Sequence, residues 1–542
     1  MPAPELRWIR VEVPEAETRR TLAVEPTGVV EVPDLTPFPA PIGKARVLLE
    51  SAAEVEHALM VQYLYAAYSL KVTDEVTDPG LRDALDESID GSWPRVLLDV
   101  AREEMGHLFT VQNLLLLLGM APNFERERFP PRKDLYPFAL HLEPLSQRSL
   151  AKYVVAESPA SATGIDDIVA LARESAGDVI NRVGVLYGLL GLVFSSGAGG
   201  AADDSGDPEW DAMVRALGAI VFRQAEPEAW HLPDSAFHPE SAERQAASED
   251  WQVGGVRVHR VPDRAAALRA IRDVGEQGEG MAPGGEASHY ERFLGMFRGT
   301  QDLVAFPAAS GPSATRAVPT DPRAEQIADA RTRRWAQLAD LRYALLLGFA
   351  EDHLLSTGAP RALLTGWMFA EMRSRLAFIA RQLTTMPRDG AGEVAAVPFG
   401  LPDELHLPAD DAARRAVHAA RTRAAIAKVE EMRAADSRDG ADPFLADLLI
   451  SDRARLAYLE DPQAQPGTSF ARDIRPLFRP KDVRHMRNIL NLADLAEASE
   501  GAQDIVLRVR AENRRMPPPP DIRWTPAQIA LFERWIADQF PE

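Results

Sequence analysis

The 542-residue sequence predicts an all-α protein: a helical bundle with additional helices and a small helical domain at the C-terminus. Three observations carry this prediction. Apolar residues recur at helical spacing over long runs, among them Ile42–Lys71 and Trp93–Leu118. Within the second run, Glu104-Met105-Gly106-His107 sets a carboxylate and an imidazole three residues apart, on one helix face and within reach of one metal ion. A second such group surrounds His289, with Glu286 three residues before it and Glu279 in Gln277-Gly278-Glu279-Gly280 just upstream. Segments so distant in sequence converge only in a bundle, and helical bundles build two-metal carboxylate centres from this ligand type.

Taken in order, residues 1–41 hold Val-rich alternating pieces and several prolines and read as an extended lead-in. Ile42–Lys71 is the first bundle helix, with Glu54, Glu56 and His57 ahead of the stripe Tyr63, Tyr65, Tyr68, which reads as bundle core. Trp93–Leu118 is the second, stopped by Gly119 and Pro122. A Pro-rich excursion spans 122–144, a short helix 147–157, and a long third bundle helix 166–194, broken by the Gly/Ala/Ser-rich stretch 196–206. A helix at Trp210–Arg223 precedes a polar loop whose His231 and His238 read as structural or solvent-facing, as does His57. The fourth bundle element comes in two pieces, Val261–Val274 and Glu286–Arg298, separated by the glycine-rich stretch 275–285. Helices at about 332–355 and 360–386 add a second layer, those at 409–434 and 442–460 form a connector, and the residues from Thr468 a separate unit. The expected domains are therefore 1–41, 42–400, 401–467 and 468–542.

Composition narrows the chemistry. The net charge of −21 and the absence of any basic cluster argue against nucleic acid and anionic membrane as partners. With no cysteine, disulfides, thiolate zinc sites, iron–sulfur clusters and covalently attached haem are all excluded, so a metal must be held by His and carboxylate. Those ligands suit iron or manganese. No stretch reads as a signal peptide or membrane span, and the expectation is a cytoplasmic protein.

Several stretches, in order, carry a resemblance: Glu54-Val55-Glu56-His57, Glu103-Glu104-Met105-Gly106-His107, Asn113-Leu114-Leu115, Leu118-Gly119-Met120-Ala121-Pro122, Gln277-Gly278-Glu279-Gly280 and Ser288-His289-Tyr290-Glu291-Arg292-Phe293. Over roughly 42–400 the chain resembles the ferritin-like domain of the iminophenyl-pyruvate dimer synthase type, also found in VioB- and RebD-like proteins of bisindole biosynthesis. The resemblance implies a ferritin-like helical bundle whose metal ligands are Glu56, Glu104, His107, Glu279 and His289. In the family a glutamate stands in the third helix where Val185 falls here, so the centre is either mononuclear or an asymmetric di-iron site. Glu174, Asp178 and Tyr187 are the residues able to compensate, and Glu286 competes with Glu279 on spacing alone. The C-terminal unit resembles a cytochrome c-like module without its haem motif; Met516 and His485 are its only haem-ligand types in suitable places.

The function so implied is a non-haem iron- or manganese-dependent oxidoreductase. Its substrate would be a small amino-acid-derived metabolite, with oxidative coupling of imino acids in natural-product biosynthesis as the finer expectation. The alternative is a metal-binding scaffold or partner protein whose centre has degenerated. Whether identical chains assemble into a homo-oligomer is left open by the sequence.

Overall fold

A computed structural model describes residues 8–12, 29–128, 141–159, 162–176, 183–197, 205, 207–222, 229–251, 256–279, 287–300, 314–390, 392–461, 468–486, 490–510 and 523–537. Within them the chain is helical apart from one antiparallel pair in the N-terminal segment, β1 (Trp8–Glu12) and β2 (Val29–Pro33), with Trp8 opposite Pro33 and Glu12 opposite Val29. No helix among the described residues is long and apolar enough to cross a membrane. The chain divides into two compact units.

The first unit comprises 1–248, 255–326 and 383–398. Its longest helices, α1 (Pro41–Ser69) and α3 (Trp93–Leu117), pack along each other. Both start with proline in the first turn, where the ring costs no hydrogen bond. Gly119, at φ +68°, ends α3 in the left-handed conformation that glycine tolerates. Between them lies the short α2 (Pro79–Leu85), capped by the Asp78 carboxylate, which accepts from the Leu81 N–H at 2.8 Å.

The remaining helices are α4 (Gln147–Ala156), α5 (Asp166–Ala176), α6 (Val183–Phe194), α7 (Pro208–Val221), α8 (Arg264–Glu279) and α9 (His289–Thr300). α6 is apolar on every side and fully buried, packing on α1, α7 and α8, while α9 packs on α4. The span read as one helix over 166–194 is described as α5 and α6, with 177–182 outside the described residues.

α8 differs from expectation by running on through Gly275 to Glu279. Gly275 is a packing residue: a Cβ there would lie 2.8 Å from the Trp210 ring and 3.2 Å from Tyr187 Cβ. The glycine admits close helix contact instead of ending the helix.

The second unit comprises 249–254, 327–382 and 399–542. It contains α10 (Ala330–Leu355), α11 (Gly358–Phe369), which runs into a π-helical stretch Ala370–Leu376, then α12 (Asp411–Ala435) and α13 (Pro443–Glu460). An ionic network explains why the helices at 330–376 group with those at 411–460. Arg342 Nη1 donates to Asp452 Oδ1 at 2.9 Å, its Nη2 donates to Asp452 Oδ2, and Arg455 Nη1 donates to Glu371 Oε1 at 2.8 Å. Arg342, Asp452 and Glu371 have no exposed side-chain surface. Burial works against the charge on Asp452, but Arg342, with Arg375 and Arg455, holds its carboxyl down to about 2; Glu371 is lowered in the same way, with Arg375 foremost.

Beyond α13 a separate apolar cluster gathers Phe470, Phe478, Trp524, Phe532 and Trp535, and includes residues of α14 (Ala502–Arg510) and α15 (Pro526–Ala537). Met516 lies outside the described residues, and the His485 side chain is likewise not described.

Removing one member of a buried network leaves its partners charged and unpaired. Arg342→Met is expected to cost about 3–5 kcal/mol of unfolding free energy in urea titrations. Asp452 and Glu371 have folded pKa values below their unfolded ones, so their contribution is complete above about pH 5 and is lost as pH falls further, for Asp452 through about 2. Thermal unfolding of the wild type is expected to show this acid limb, and Arg342→Met to flatten it.

Candidate metal centre

Glu56 lies near the middle of α1, in an otherwise apolar face; Glu104 and His107 lie one turn apart in the middle of α3, and all three are buried. The i, i+3 spacing brings His107 Nδ1 to 2.9 Å from Glu104 Oε2, and Glu56 Oε2 lies 3.5 Å from the same nitrogen. His289, the first residue of α9 and fully buried, places Nδ1 3.0 Å from Glu104 Oε1 and 3.7 Å from Glu157 Oε2. Two triads result, Glu56/Glu104/His107 and Glu104/Glu157/His289, and within each the ligand-type atoms lie within 4.8 Å of one another. Glu104 belongs to both, one oxygen facing each imidazole.

Each terminal carboxylate is held by a tyrosine. The Tyr187 hydroxyl on α6 donates to Glu56 Oε1, and the Tyr63 hydroxyl on α1 donates to Glu157 Oε1 at 2.6 Å. Burial and the adjoining carboxylates keep both phenols well above their usual pKa, so they remain donors. Tyr63 also stacks edge-on with Tyr153 at a centroid distance of 4.9 Å and contacts Phe293 at 5.1 Å, closing that side against water.

A further layer orients the histidines. Gln277 Oε1 lies 3.1 Å from His107 Nε2, while its amide donates to Glu103 Oε2 at 3.1 Å. Glu103 also meets His289 Nε2 at 2.8 Å and forms a two-pronged ion pair with Arg292. Burial alone would raise the Glu103 carboxyl, but His289 and Arg292 hold it down to about 2. Imidazole ligands ordinarily carry such a carboxylate or amide partner on the nitrogen facing away from the metal.

Electrostatics test whether a cation fits. Burial, reinforced by Glu104, pushes Glu56 up to about 8. Burial opposes charge on His107, but the Glu104 carboxylate raises it to about 10, and His289 is raised for the same reason. A positive imidazole is thus favoured at each oxygen of Glu104, and burial beside Glu104 favours the protonated form of Glu56. Among the described residues, Glu56 Oε2 and His289 Nδ1 have no aligned hydrogen-bond partner. Glu56 lines a gap of about ion or water size together with Glu104, His107, Glu157 and Tyr187. Oxygen and imidazole donors around such a gap fit a divalent transition metal.

Of the five residues anticipated as ligands, Glu56, Glu104, His107 and His289 come together here. Glu279 ends α8 but its side chain lies outside the described residues, as does Glu286. Val185 is buried beside the centre without lining the gap. Among the residues weighed as its substitutes, Glu174 pairs at the surface with Arg148 at 3.0 Å, Asp178 is outside the described residues, and Tyr187 reaches Glu56. The carboxylate that completes the second triad, Glu157, was not anticipated. Its signal was an acid at the C-terminal end of the apolar helix α4, where the helix dipole disfavours negative charge. His57 faces the other way; burial and Arg126 push it down to about 3, so it is neutral.

The comparisons with known proteins bear on the fold. Residues 49–298 match the family model described as Ferritin-like, and both triads lie inside that span. The chain therefore carries a ferritin-like domain. It is 26% identical over 427 residues to dichlorochromopyrrolate synthase of Lentzea aerocolonigenes, covering 70% of this chain and 38% of that protein. It is 28% identical over 351 residues to 2-imino-3-(indol-3-yl)propanoate dimerase of Chromobacterium violaceum, covering 58% of this chain and 30% of that protein. The chain thus spans well under half the length of these relatives. No solved structure matches it.

Glu157→Ala is expected to lower bound metal, measured by elemental analysis after ferrous loading, as strongly as His289→Ala, whereas Val185→Ala leaves it unchanged. Gly106→Ala tests the scaffold: its Cβ would lie 2.4 Å from the Arg257 carbonyl oxygen, and the strain is expected to cost about 1–3 kcal/mol in denaturant unfolding.

Proposed function

We propose that the chain is a non-haem oxidoreductase dependent on iron or manganese. It acts on a small amino-acid-derived metabolite, and its reaction joins two imino-acid molecules by a new carbon–carbon bond, the two protons and two electrons so released passing to dioxygen or a peroxide. The observation that carries this reading is Glu104, shared by two buried carboxylate–imidazole triads. The names of the relatives, one a dimerase of an indolyl imino acid, suggest the substrate class. In this reading Glu56, Glu104 and His107 hold one metal ion, and Glu104, Glu157 and His289 a second. Bound iron or manganese would supply redox and Lewis-acid chemistry.

The chain's own residues have distinct tasks. Glu104 balances charge across the two halves. Tyr187 and Tyr63 hold hydroxyl protons at Glu56 Oε1 and Glu157 Oε1, fixing which carboxylate oxygens remain free. Glu103, anchored by Arg292, orients the His289 ring. The aromatic wall of Tyr63, Tyr153 and Phe293 keeps water from the carboxylates. A scaffold role with metal but no turnover is the second reading, favoured by one observation: the gap between the triads is too small for an organic substrate.

Protein loaded with ferrous iron or Mn(II) is expected to retain up to two ions per chain, and His107→Ala or His289→Ala to lose most of them. Supplied with the imino acid that an amino-acid oxidase makes from L-tryptophan, the loaded protein is expected to yield a coupled product by mass spectrometry. Metal retention without product would support the scaffold; no retained metal would end both readings.

A further inference from the structure

The gap between the triads leaves open where an organic substrate sits, and a second hollow answers it. Among the described residues, a cleft of about 510 Å³ opens between α2, the turn that follows it, the first turn of α3 and one face of α9. That volume lies in the range of small-molecule sites. Trp93, Val96 and Met296 give it an apolar floor, and Ile89 stands 42% exposed at its edge.

The α9 face that lines the cleft is Arg292, Gly295, Met296 and Gly299, spaced three and four residues apart. Gly295 stands inside the helix, where glycine is about 1 kcal/mol worse than alanine. Neither backbone nor packing requires it. Its φ is not positive, and among the described residues a Cβ there would meet nothing within 4 Å, nor would one at Gly299. What these glycines preserve is the volume of the cleft.

Arg292 joins the cleft to the metal centre. Its Nε donates to the Ala287 carbonyl at 3.0 Å, one N–H of each terminal nitrogen goes to Glu103, and Glu103 reaches His289 at 2.8 Å. Of the five guanidinium N–H groups, these bonds occupy three, and the side chain is 20% exposed. The two remaining diverge on opposite edges of the fork, and one of them can donate a charge-assisted hydrogen bond to a carboxylate at the cleft wall. The other charges lining the cleft are acids. Glu291 caps the Ser288 N–H at 3.0 Å, and Asp83 and Asp90 are exposed. A purely anionic ligand would meet their repulsion, whereas one carrying a cationic nitrogen beside its carboxylate satisfies both signs.

We infer that this cleft binds an aromatic α-amino or α-imino carboxylate in its dipolar form. The ring lies on Trp93 and Met296, the carboxylate on Arg292, and the cationic nitrogen faces the acids. The inference rests on the proposed function for its role as substrate site. As a binding site it stands on the cleft's own residues.

Calorimetric titration of the metal-loaded full chain with L-tryptophan, 3-(indol-3-yl)propanoate and tryptamine tests it. L-Tryptophan is expected to bind tightest, and tryptamine, which lacks the carboxylate, at least tenfold more weakly. Gly295→Leu, which improves helix propensity while filling the cleft, is expected to weaken L-tryptophan at least tenfold with metal content unchanged. Arg292→Gln should remove the preference over tryptamine. Equal binding of L-tryptophan and tryptamine by the wild type, or unaltered L-tryptophan binding in a folded Gly295→Leu, overturns the inference. Product formation that persists in Gly295→Leu would reject the cleft and leave the proposed function standing. Cleft-dependent binding in a protein that retains no metal would do the reverse.

Discussion

Three carboxylates, Glu56, Glu104 and Glu157, are buried together in the first unit, and compensating their charge is the constraint on which the rest of that unit depends. An uncompensated buried carboxylate costs several kcal/mol, and three at close range cost more because they repel one another. The protein meets this with two imidazoles facing opposite oxygens of Glu104, two phenol hydroxyls on the outer carboxylates, and an outer ring in which Glu103 is locked by Arg292. These groups come from five stretches of sequence: α1, α3, the end of α4, α6 and α9. The helices must therefore pack in one arrangement for any of the acids to be tolerated.

That requirement explains details that packing alone would not. Gly106, between the ligand-type residues Glu104 and His107, lets the Arg257 backbone approach α3 closely, and Asn113 fastens the same loop by donating to the Ala246 and His259 carbonyls at 2.8 Å each. Gly275 lets α8 approach α6 and α7, which sets Gln277 against His107. The second unit relies on a different device, a buried arginine–carboxylate network in which charge is balanced by side chains alone. The first unit has protons in that role, and a proton is readily exchanged for a metal ion.

Much of the bundle was legible because its long helices are strongly periodic: α1, α3, α10, α12 and α13 fall within a few residues of their expected positions. Glu104 and His107 were legible from spacing, and Glu56 and His289 from ordered motifs. What spacing could not reveal was which of several distant acids folds back onto the centre. Glu157 sits at the end of a short helix with no histidine nearby in sequence, so only tertiary packing joins it to His289. Glycines misled in one direction: Gly275 and Gly278 read as helix breakers, whereas α8 continues through both, and at Gly275 close packing favours a residue without Cβ. Gln277, Glu103 and Arg292 were present in the quoted motifs, but their tasks depend on which imidazole nitrogen each faces, and that is a property of the folded chain.

The central claim is that Glu104 is shared between two cation positions. Anomalous diffraction from crystals of the manganese- or iron-loaded protein tests it most directly, because the peaks locate each ion independently of activity. The account predicts two peaks, both in contact with Glu104, one flanked by Glu56 and His107 and the other by Glu157 and His289. A single peak away from Glu104, or none in a crystal soaked to saturation, would contradict it.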